Sequence, residues 1–300
     1  MVTNVLHNNR LYKDVDGHLE ITHSNGRHFR TPEILYKYYA LNNNSVEAFT
    51  NHYLYAAHPL KLNDRFDCSP YLVSFEDFDE ELKLLKEINP ETKTTIEDLA
   101  LDDFGGYNSE IAEYFYEKIG IISLAKEMNN TLMWSHYAKN DGFCVGFYVE
   151  QLPSQWTGPY PIDYSKHRES AIISLNQLSL LPLLLCYQKN SKWKYEKEYR
   201  CLVDIEQNGV RECEYPVDAI AEVYLGSSFF KRNEDKSDED GNFKVSISQD
   251  DENYRLRTKV LDFICKNHIQ TFVDLTLYID DVYFQPYHGY GESGQYKFYW

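Results

Sequence analysis

The sequence predicts an α+β fold, in which a curved mixed or antiparallel sheet carries helical insertions. Segments with strand-like alternation are interleaved irregularly with segments of helical period, unlike the regular alternation of a doubly wound sheet. There is no repeat of about 20–50 residues. The 26 tyrosines, 16 phenylalanines and 4 tryptophans favour strands and the wet walls of a polar cleft, although the codon usage of an AT-rich genome would give a similar composition.

Composition narrows the class of protein. Hydrophobic residues make up 43% and charged residues 26% of the 300 residues, which is typical of globular proteins. The formal net charge of −17 argues against a protein that works by neutralising nucleic-acid phosphates. The six cysteines occur singly, without a Cys-x-x-Cys pair, so a structural zinc site is not indicated. Scattered single cysteines fit a protein of the reducing cytoplasm. No apolar run reaches ~18 residues and no signal peptide begins the chain, so we expect neither a membrane span nor secretion.

The first 32 residues are predicted to form a β-hairpin extension, and residues 33–300 a single α+β domain. The dipeptides Asp16-Gly17 and Asn25-Gly26 are favoured hairpin turns. The helical region 76–118 is acidic and is broken into two or three helices by Pro90 and by Gly105-Gly106.

The remaining elements follow from the period of the apolar residues. Strands are expected over 34–39, 54–57, 120–124, 142–149, 193–205, 219–226 and 272–284, helices over 44–51, 167–187 and 254–267, a short helix or turn over 133–138, and loops over 63–67 and 233–242.

The segment Trp193–Ile205 carries an unusual set of charges. Side chains of a strand repeat every second residue, so Glu196, Glu198 and Arg200 are predicted to share one face. Charged groups are costly to bury without a partner and useful for holding a polar ligand. Two interpretations remain: an exposed ladder of charges, or a ligand site.

Three further blocks are rich in polar and aromatic side chains: Tyr36-Lys37-Tyr38, Asn63-Asp64-Arg65-Phe66-Asp67-Cys68 and Trp134-Ser135-His136-Tyr137. Asn63 and Asp64 could instead cap a turn, and His136 could be structural. Asp64, Asp67 and Glu198 could bind magnesium, although no spacing rule supports this. No nucleophile elbow, P-loop or Gly-x-Gly-x-x-Gly turn is present.

Taken in order, these blocks resemble a bacterial and phage family known as a domain of unknown function. The shared motifs are a Tyr-Lys-Tyr start, a Pro-x-x-x-Asn-Asp-x-Phe-Asp loop, Met-Trp-Ser-His-Tyr-Ala running into Gly-Phe-Cys, and Trp-x-Tyr-Glu-x-Glu-Tyr-Arg. They stand here at 36–38, 59–67, 133–144 and 193–200. The resemblance covers roughly residues 33–230 and implies no particular reaction.

A looser resemblance is to ADP-ribosyltransferases, which share the order of an early polar strand, a middle aromatic block and a late Glu-x-Glu strand. It implies an ADP-ribosyltransferase-like fold and NAD as the substrate, with Glu198 as the catalytic carboxylate and Glu196 orienting the acceptor. The early block is Tyr-Lys-Tyr where those enzymes have Arg or His, the Ser-Thr-Ser block is absent, and Arg200 could make a structural ion pair. The implied catalytic residues are Glu198, Glu196, Tyr137 and His136, and the implied ligand-binding residues are Tyr36, Lys37, Tyr38, Asn63, Asp64, Trp134 and Arg200.

The sequence therefore predicts an intracellular bacterial effector that cleaves NAD or transfers ADP-ribose, in phage defence or as a toxin. Its expected partners are a nucleotide and a protein or nucleic-acid acceptor. Two alternatives remain open. One is a non-catalytic module that binds a nucleotide or a phage component, and the other is a metal-dependent nuclease, against which the charge of −17 counts.

Overall fold

The computed structural model describes residues 2–101, 106–164, 170–230, 243–246, 252–274, 284–292 and 295–299. It has an α+β architecture with mixed sheets and several helices, which confirms the predicted α+β class. The ADP-ribosyltransferase-like form of that fold stays a prediction. The strands are β1 (Val2–His7), β2 (Arg10–Val15), β3 (His18–His23), β4 (Ile34–Tyr39), β5 (Tyr53–Tyr55), β6 (Val73–Phe75), β7 (Ile119–Ala125), β8 (Phe143–Tyr148), β9 (Thr157–Pro161), β10 (Ala171–Ile173), β11 (Glu198–Asp204), β12 (Glu212–Glu214), β13 (Ile220–Leu225), β14 (Phe243–Ser246), β15 (Thr271–Asp274), β16 (Phe284–Glu292) and β17 (Gln295–Tyr299). The α-helices are α1 (Asn43–Thr50), α2 (Phe78–Ile88), α3 (Ile96–Leu101), α4 (Gly106–Lys118), α5 (Thr131–Met133), α6 (Leu181–Cys186), α7 (Ile205–Asn208) and α8 (Tyr254–Lys266).

The chain folds as two compact units, each built from three segments. The first unit comprises Met1–Thr31, Ala56–Ser123 and Ser154–Arg211. The second comprises Pro32–Tyr55, Leu124–Pro153 and Glu212–Trp300. The division into an extension over 1–32 and a domain over 33–300 stays a prediction.

The first unit begins with an antiparallel sheet in the order β1-β2-β3. Asp16 and Gly17 connect β2 to β3 with φ angles of 53° and 89°, as a two-residue hairpin turn of type I′ requires, so this predicted hairpin is confirmed. Strand β1 was not predicted. Its turn is Asn8-Asn9, with φ angles of 48° and 60°, and asparagine tolerates this left-handed conformation better than most residues.

The acidic region of the first unit forms the three helices α2, α3 and α4, as predicted. The predicted helix over 167–187 is wrong for much of its length. Strand β10 pairs in parallel with β6, a 3₁₀ helix follows over Leu175–Leu180, and only α6 is α-helical. Proline is tolerated in the first turn of a helix but not in its interior, so Pro182 allows a helix to start at Leu181 and disfavours one running through it.

The buried core of the first unit joins the N-terminal sheet, the acidic helices and the leucine-rich α6. Its side chains include Tyr12, Leu85, Tyr116 and Leu184, all fully buried. Within this unit β11 lies between β7 and β9 and pairs antiparallel with β9. The core thus surrounds the strand that carries Glu198 and Arg200.

The second unit contains a mixed sheet in the order β14-β17-β16-β15-β13-β8-β4. Strand β13 runs parallel to β15, and the other pairs are antiparallel. Helices α1 and α8 pack together on one face, where the ring centroid of Phe49 lies 5.1 Å from that of Phe143 and 4.7 Å from that of Phe263. This face is the apolar core, because odd-numbered residues of β4 and β8 such as Leu35 and Phe147 are fully buried there.

Three predicted elements fall partly or wholly outside the described residues. These are the whole loop over 233–242, residues 167–169 of the predicted helix over 167–187, and residues 275–283 of the last predicted strand. The start of that strand is observed as β15 over Thr271–Asp274. Of the helices within the described ranges, none is both long and apolar enough to span a membrane.

A buried ion network as the candidate functional site

Two of the three predicted strand charges lie on β11. Glu198 is its first residue and Arg200 follows two positions later, so both project from the same face. The prediction that Glu196 shares this strand face is wrong. Glu196 ends a 3₁₀ helix over Ser191–Glu196, and Lys197, with a φ of 44°, separates that helix from β11. The side chain of Asn190 accepts a hydrogen bond from the Lys192 amide and so caps the helix start.

Arg200 is held by acceptors on all sides of its guanidinium group. Nη1 and Nη2 donate to the two carboxylate oxygens of Asp67 at 2.9 and 2.5 Å. Nε and Nη2 donate to Glu198 at 2.7 and 3.1 Å, and Nη1 also donates to the Cys186 carbonyl oxygen at 2.6 Å. These bonds account for all five N–H donors that an arginine possesses.

Lys189 is the second cation of the network. Its Nζ donates to Glu196 Oε2 at 2.5 Å and to Glu198 Oε2 at 3.1 Å, and lies 3.6 Å from Asp67 Oδ2. The same Nζ lies 5.1 Å from the ring centroid of Trp193, within the range of a cation–π interaction. Lys189 therefore links Glu196, which lies outside the strand, to the strand residue Glu198.

The network is buried. Arg200 is 1%, Lys189 3%, Glu196 3% and Glu198 6% exposed, so the interpretation as an exposed ladder of charges is wrong. Counted over the described residues, the group holds three carboxylates, including Asp67, and two cations. Buried charges are tolerated only with close partners, and the side chains here supply them.

The ion pairs determine the ionisation of this cluster. Burial by itself would raise the pKa of Glu198, but Arg200 and Lys189 outweigh it and, with a hydrogen bond from Ser123, lower that pKa to about 2. Burial also opposes the charge on Lys189, yet the nearby carboxylates, led by Glu198, raise the pKa of that amine above its usual value. Glu198 is therefore an anion at neutral pH.

Asp67 reaches the network from a tight turn in the loop over 63–67. Asp64 Oδ1 accepts the Phe66 amide at 3.0 Å, so Asp64 has the turn-capping role that the sequence left open. Asp67 and Glu198, two of the residues considered as magnesium ligands, do lie close together, but Arg200 and Lys189 bridge them. Among the described residues, no group of three or more His, Cys, Asp or Glu side chains is arranged to hold a metal ion.

The Tyr36-Lys37-Tyr38 block lies in the second unit, where alternation along β4 separates its members. Tyr36 pairs with Gly146 and Tyr38 with Cys144, whereas Lys37 pairs with Val145 and so belongs to the opposite face. The Tyr38 ring makes an edge contact with Trp134, with centroids 5.4 Å apart. Tyr36 and Tyr38 can thus share a site with Trp134.

The Met-Trp-Ser-His-Tyr-Ala segment is helical, as predicted, but with an unusual geometry. Its residues Trp134–Ala138 form a π-helix, a rare conformation often found at functional sites. Trp134 is buried and donates from Nε1 to the Met128 carbonyl oxygen at 2.8 Å. His136 is exposed and Tyr137 half-buried.

The predicted site residues thus fall into two groups. The first unit contains Asn63, Asp64, Glu196, Glu198 and Arg200. The second unit contains Tyr36, Lys37, Tyr38, Trp134, His136 and Tyr137. The sequence analysis missed Lys189, which follows a leucine-rich segment without any motif. It also missed Glu222, whose carboxylate accepts a hydrogen bond from the Tyr36 hydroxyl at 2.9 Å.

Comparison with known proteins gives one family. Residues 133–201 match the profile of a family described as a protein of unknown function (DUF2971), a segment that contains Trp134, Glu196, Glu198 and Arg200. The predicted relation to a domain-of-unknown-function family is confirmed over this segment. No curated protein gives a significant match, and neither does any solved structure.

Proposed function

We propose that this protein is an NAD-using enzyme of the ADP-ribosyltransferase kind, with Glu198 as its essential carboxylate. The observation that carries the proposal is the buried network in which Arg200 and Lys189 hold Glu198 and lower its pKa to about 2 despite burial. The order of the blocks along the chain, which resembles that of ADP-ribosyltransferases, gives independent support.

The chemistry needs such a group. In NAD cleavage the bond between the ribose C1′ and the nicotinamide nitrogen breaks, and nicotinamide leaves with the bonding electron pair. Positive charge develops on the ribose, and a fixed anion nearby lowers the energy of that state. Water or an acceptor group then bonds to C1′ and loses a proton. Glu198 would supply the anion, and Glu196 would orient the acceptor.

The proposed setting is the cytoplasm of a bacterium, where the protein would act as a defence effector or a toxin on a protein or nucleic-acid acceptor. The buried thiols that form no disulfide include Cys68, Cys144, Cys186 and Cys201. Unpaired cysteines are typical of a reducing compartment, which supports an intracellular location.

The test is the release of nicotinamide, measured by mass spectrometry, from NAD incubated with the purified chain, with and without cell extract. Glu198→Gln should lower the rate by about 10²–10⁴-fold. Glu206→Gln is a matched control, because Glu206 has a side chain 63% exposed and pairs only with Lys118 among the contacts described. Full turnover by a folded Glu198→Gln protein would rule out the proposal.

Folding must be checked separately, because Glu198→Gln weakens a buried network. Circular dichroism and size-exclusion chromatography at low temperature report whether the variant is folded. Glu198→Asp keeps the charge and shortens the side chain, so it should retain more activity than Glu198→Gln if the charge itself is needed.

A second function is favoured by one observation. Both carboxylate oxygens of Glu198 already accept hydrogen bonds, Oε1 from Arg200 and Oε2 from Lys189 and Arg200. Such saturation fits a rigid module that binds a nucleotide or a phage component without turnover. This function predicts a thermal shift with NAD or another nucleotide and no release of nicotinamide.

A further inference from the structure

Glu222 lies at the centre of an aromatic face on the sheet of the second unit. Register places Tyr36, Gly146 and Glu222 in one row across β4, β8 and β13, and Tyr38, Cys144 and Tyr224 in the next row. These side chains share one face, opposite the apolar core against α1 and α8.

The glycine in the middle of the first row allows the outer two residues to meet. Strands two apart in a sheet are separated by roughly 9–10 Å, yet the Tyr36 hydroxyl donates to Glu222 Oε1 at 2.9 Å. A Cβ at position 146 would lie 3.0 Å from both Glu222 Cγ and Tyr36 Cε1. The absence of a side chain at Gly146 therefore lets Tyr36 and Glu222 lean over the central strand.

A phenol holds this carboxylate, since the Tyr36 hydroxyl occupies one of its roughly four acceptor positions. Burial and the nearby Glu222 carboxylate raise the pKa of the Tyr224 hydroxyl, so that phenol lies beside the carboxylate as well. Within the described ranges no lysine, arginine or histidine forms an ion pair with Glu222. Glu222 and Tyr36 are only half-buried, so a ligand from solvent can reach them.

The surroundings of Glu222 are aromatic. The ring centroids of Tyr36 and Tyr224 lie 6.2 Å apart in an edge arrangement. Phe272 stacks on Tyr224 with centroids 4.7 Å apart, and Tyr38 contacts Trp134. An anion among aromatic rings attracts an organic cation, because the ring faces carry negative charge and the carboxylate supplies the opposite ion.

We infer that this face binds a small organic cation with a flat aromatic head, of the N-alkylpyridinium class, with Glu222 as its counter-ion. Tyr36 fixes the carboxylate, and the half-buried rings of Tyr36 and Phe272 contact the cation. Cation binding at this site is independent of the proposed NAD cleavage by Glu198. A simple N-alkylpyridinium has no glycosidic bond to break, so its binding can be measured without any reaction.

The probe is the 1-methylnicotinamide cation, with neutral nicotinamide as the matched ligand, and isothermal titration calorimetry gives both dissociation constants. The wild-type chain should bind the cation at least about tenfold more tightly than the neutral amide. Glu222→Gln should abolish most of this preference, and Glu214→Gln, an exposed position of the same unit, should leave it unchanged.

Two further variants keep the test decisive where Glu222→Gln fails to fold. Tyr36→Phe retains the ring and removes the hydroxyl that holds the carboxylate, so it should weaken cation binding by several-fold with little effect on nicotinamide. Tyr224→Phe removes a hydroxyl that lies beside the carboxylate, so it should weaken cation binding to a smaller extent. A wild-type chain that does not prefer the cation, or folded variants that all keep the preference, would overturn the proposal. A wild-type chain that prefers the cation but releases no nicotinamide from NAD would count against the catalytic role of Glu198 and not against this cation site.

Discussion

Glu198 in the first unit and Glu222 in the second are both glutamates on sheet strands, but they are stabilised differently. Glu198 is 6% exposed and bound by Arg200 and Lys189. Glu222 is half-buried and accepts a hydrogen bond from the Tyr36 hydroxyl. Depth of burial explains the difference: a carboxylate removed from water needs a cationic partner, whereas one that keeps part of its hydration can be held by neutral donors.

The comparison implies different roles for the two carboxylates. Among the described residues, the charged side chains of the Glu198 network pair with one another, so removing one of them leaves a buried charge with fewer partners. Over the same part of the chain, no cation forms an ion pair with Glu222. We therefore expect stability to depend on the first site and ligand charge to matter at the second.

The largest expected effect is that of Arg200→Met. It leaves Asp67 and Glu198 buried with only Lys189 as a cation, and breaking a buried ion pair in this way costs about 3–5 kcal/mol of unfolding free energy. Urea denaturation followed by circular dichroism measures the loss. Arg27→Met, at an exposed position of the same unit, should change stability by less than about 0.5 kcal/mol, and equal effects of the two variants would contradict a structural role for the network.

The pH dependence of stability should come next in size. The pKa of Glu198 falls from its ordinary value of 4.5 to about 2 on folding, so its contribution is complete above pH 4.5 and is lost as the pH falls towards 2. The contribution is about 3 kcal/mol. Urea denaturation between pH 6 and pH 2.5 should show a shallower decline for Glu198→Gln than for the wild-type chain, and parallel declines would disprove the ionisation of Glu198 in the folded state.

A smaller effect is expected for Tyr36→Phe. This change removes one hydrogen bond to a carboxylate that is only half-buried and so keeps part of its hydration. The loss of unfolding free energy should therefore be about 1 kcal/mol. The same denaturation experiment measures it. A loss as large as that of Arg200→Met would show that Glu222 depends on its partners as strongly as Glu198 does.

The smallest effect on stability is expected for Glu222→Gln. Glutamine can still accept the hydrogen bond from Tyr36, and no ion pair among the described residues is broken, so unfolding free energy should change by less than about 1 kcal/mol. Thermal melting of this variant beside Glu198→Gln gives a direct comparison. A marked destabilisation by Glu222→Gln would remove the distinction between the two sites.

Local patterns predicted much of the fold. The Asp16-Gly17 turn, the strands around Tyr36 and Phe143, and the three acidic helices all follow from short-range rules on turn residues and apolar period. The predictions of secondary structure failed where a local pattern is compatible with two structures. Apolar residues over 171–186 fit a helix, but 171–173 pair with β6 as a strand, and only that distant partner decides between the two.

The sequence by itself determined that Glu198 and Arg200 share a face, because alternation along a strand is a local property. Only the tertiary structure decided that Asp67, 133 residues from Arg200 in sequence, completes its ion pairs, and that Tyr36 reaches Glu222, 186 residues away. Strand order and register bring such residues together. They depend on how the whole chain packs its apolar surface, which no short segment specifies.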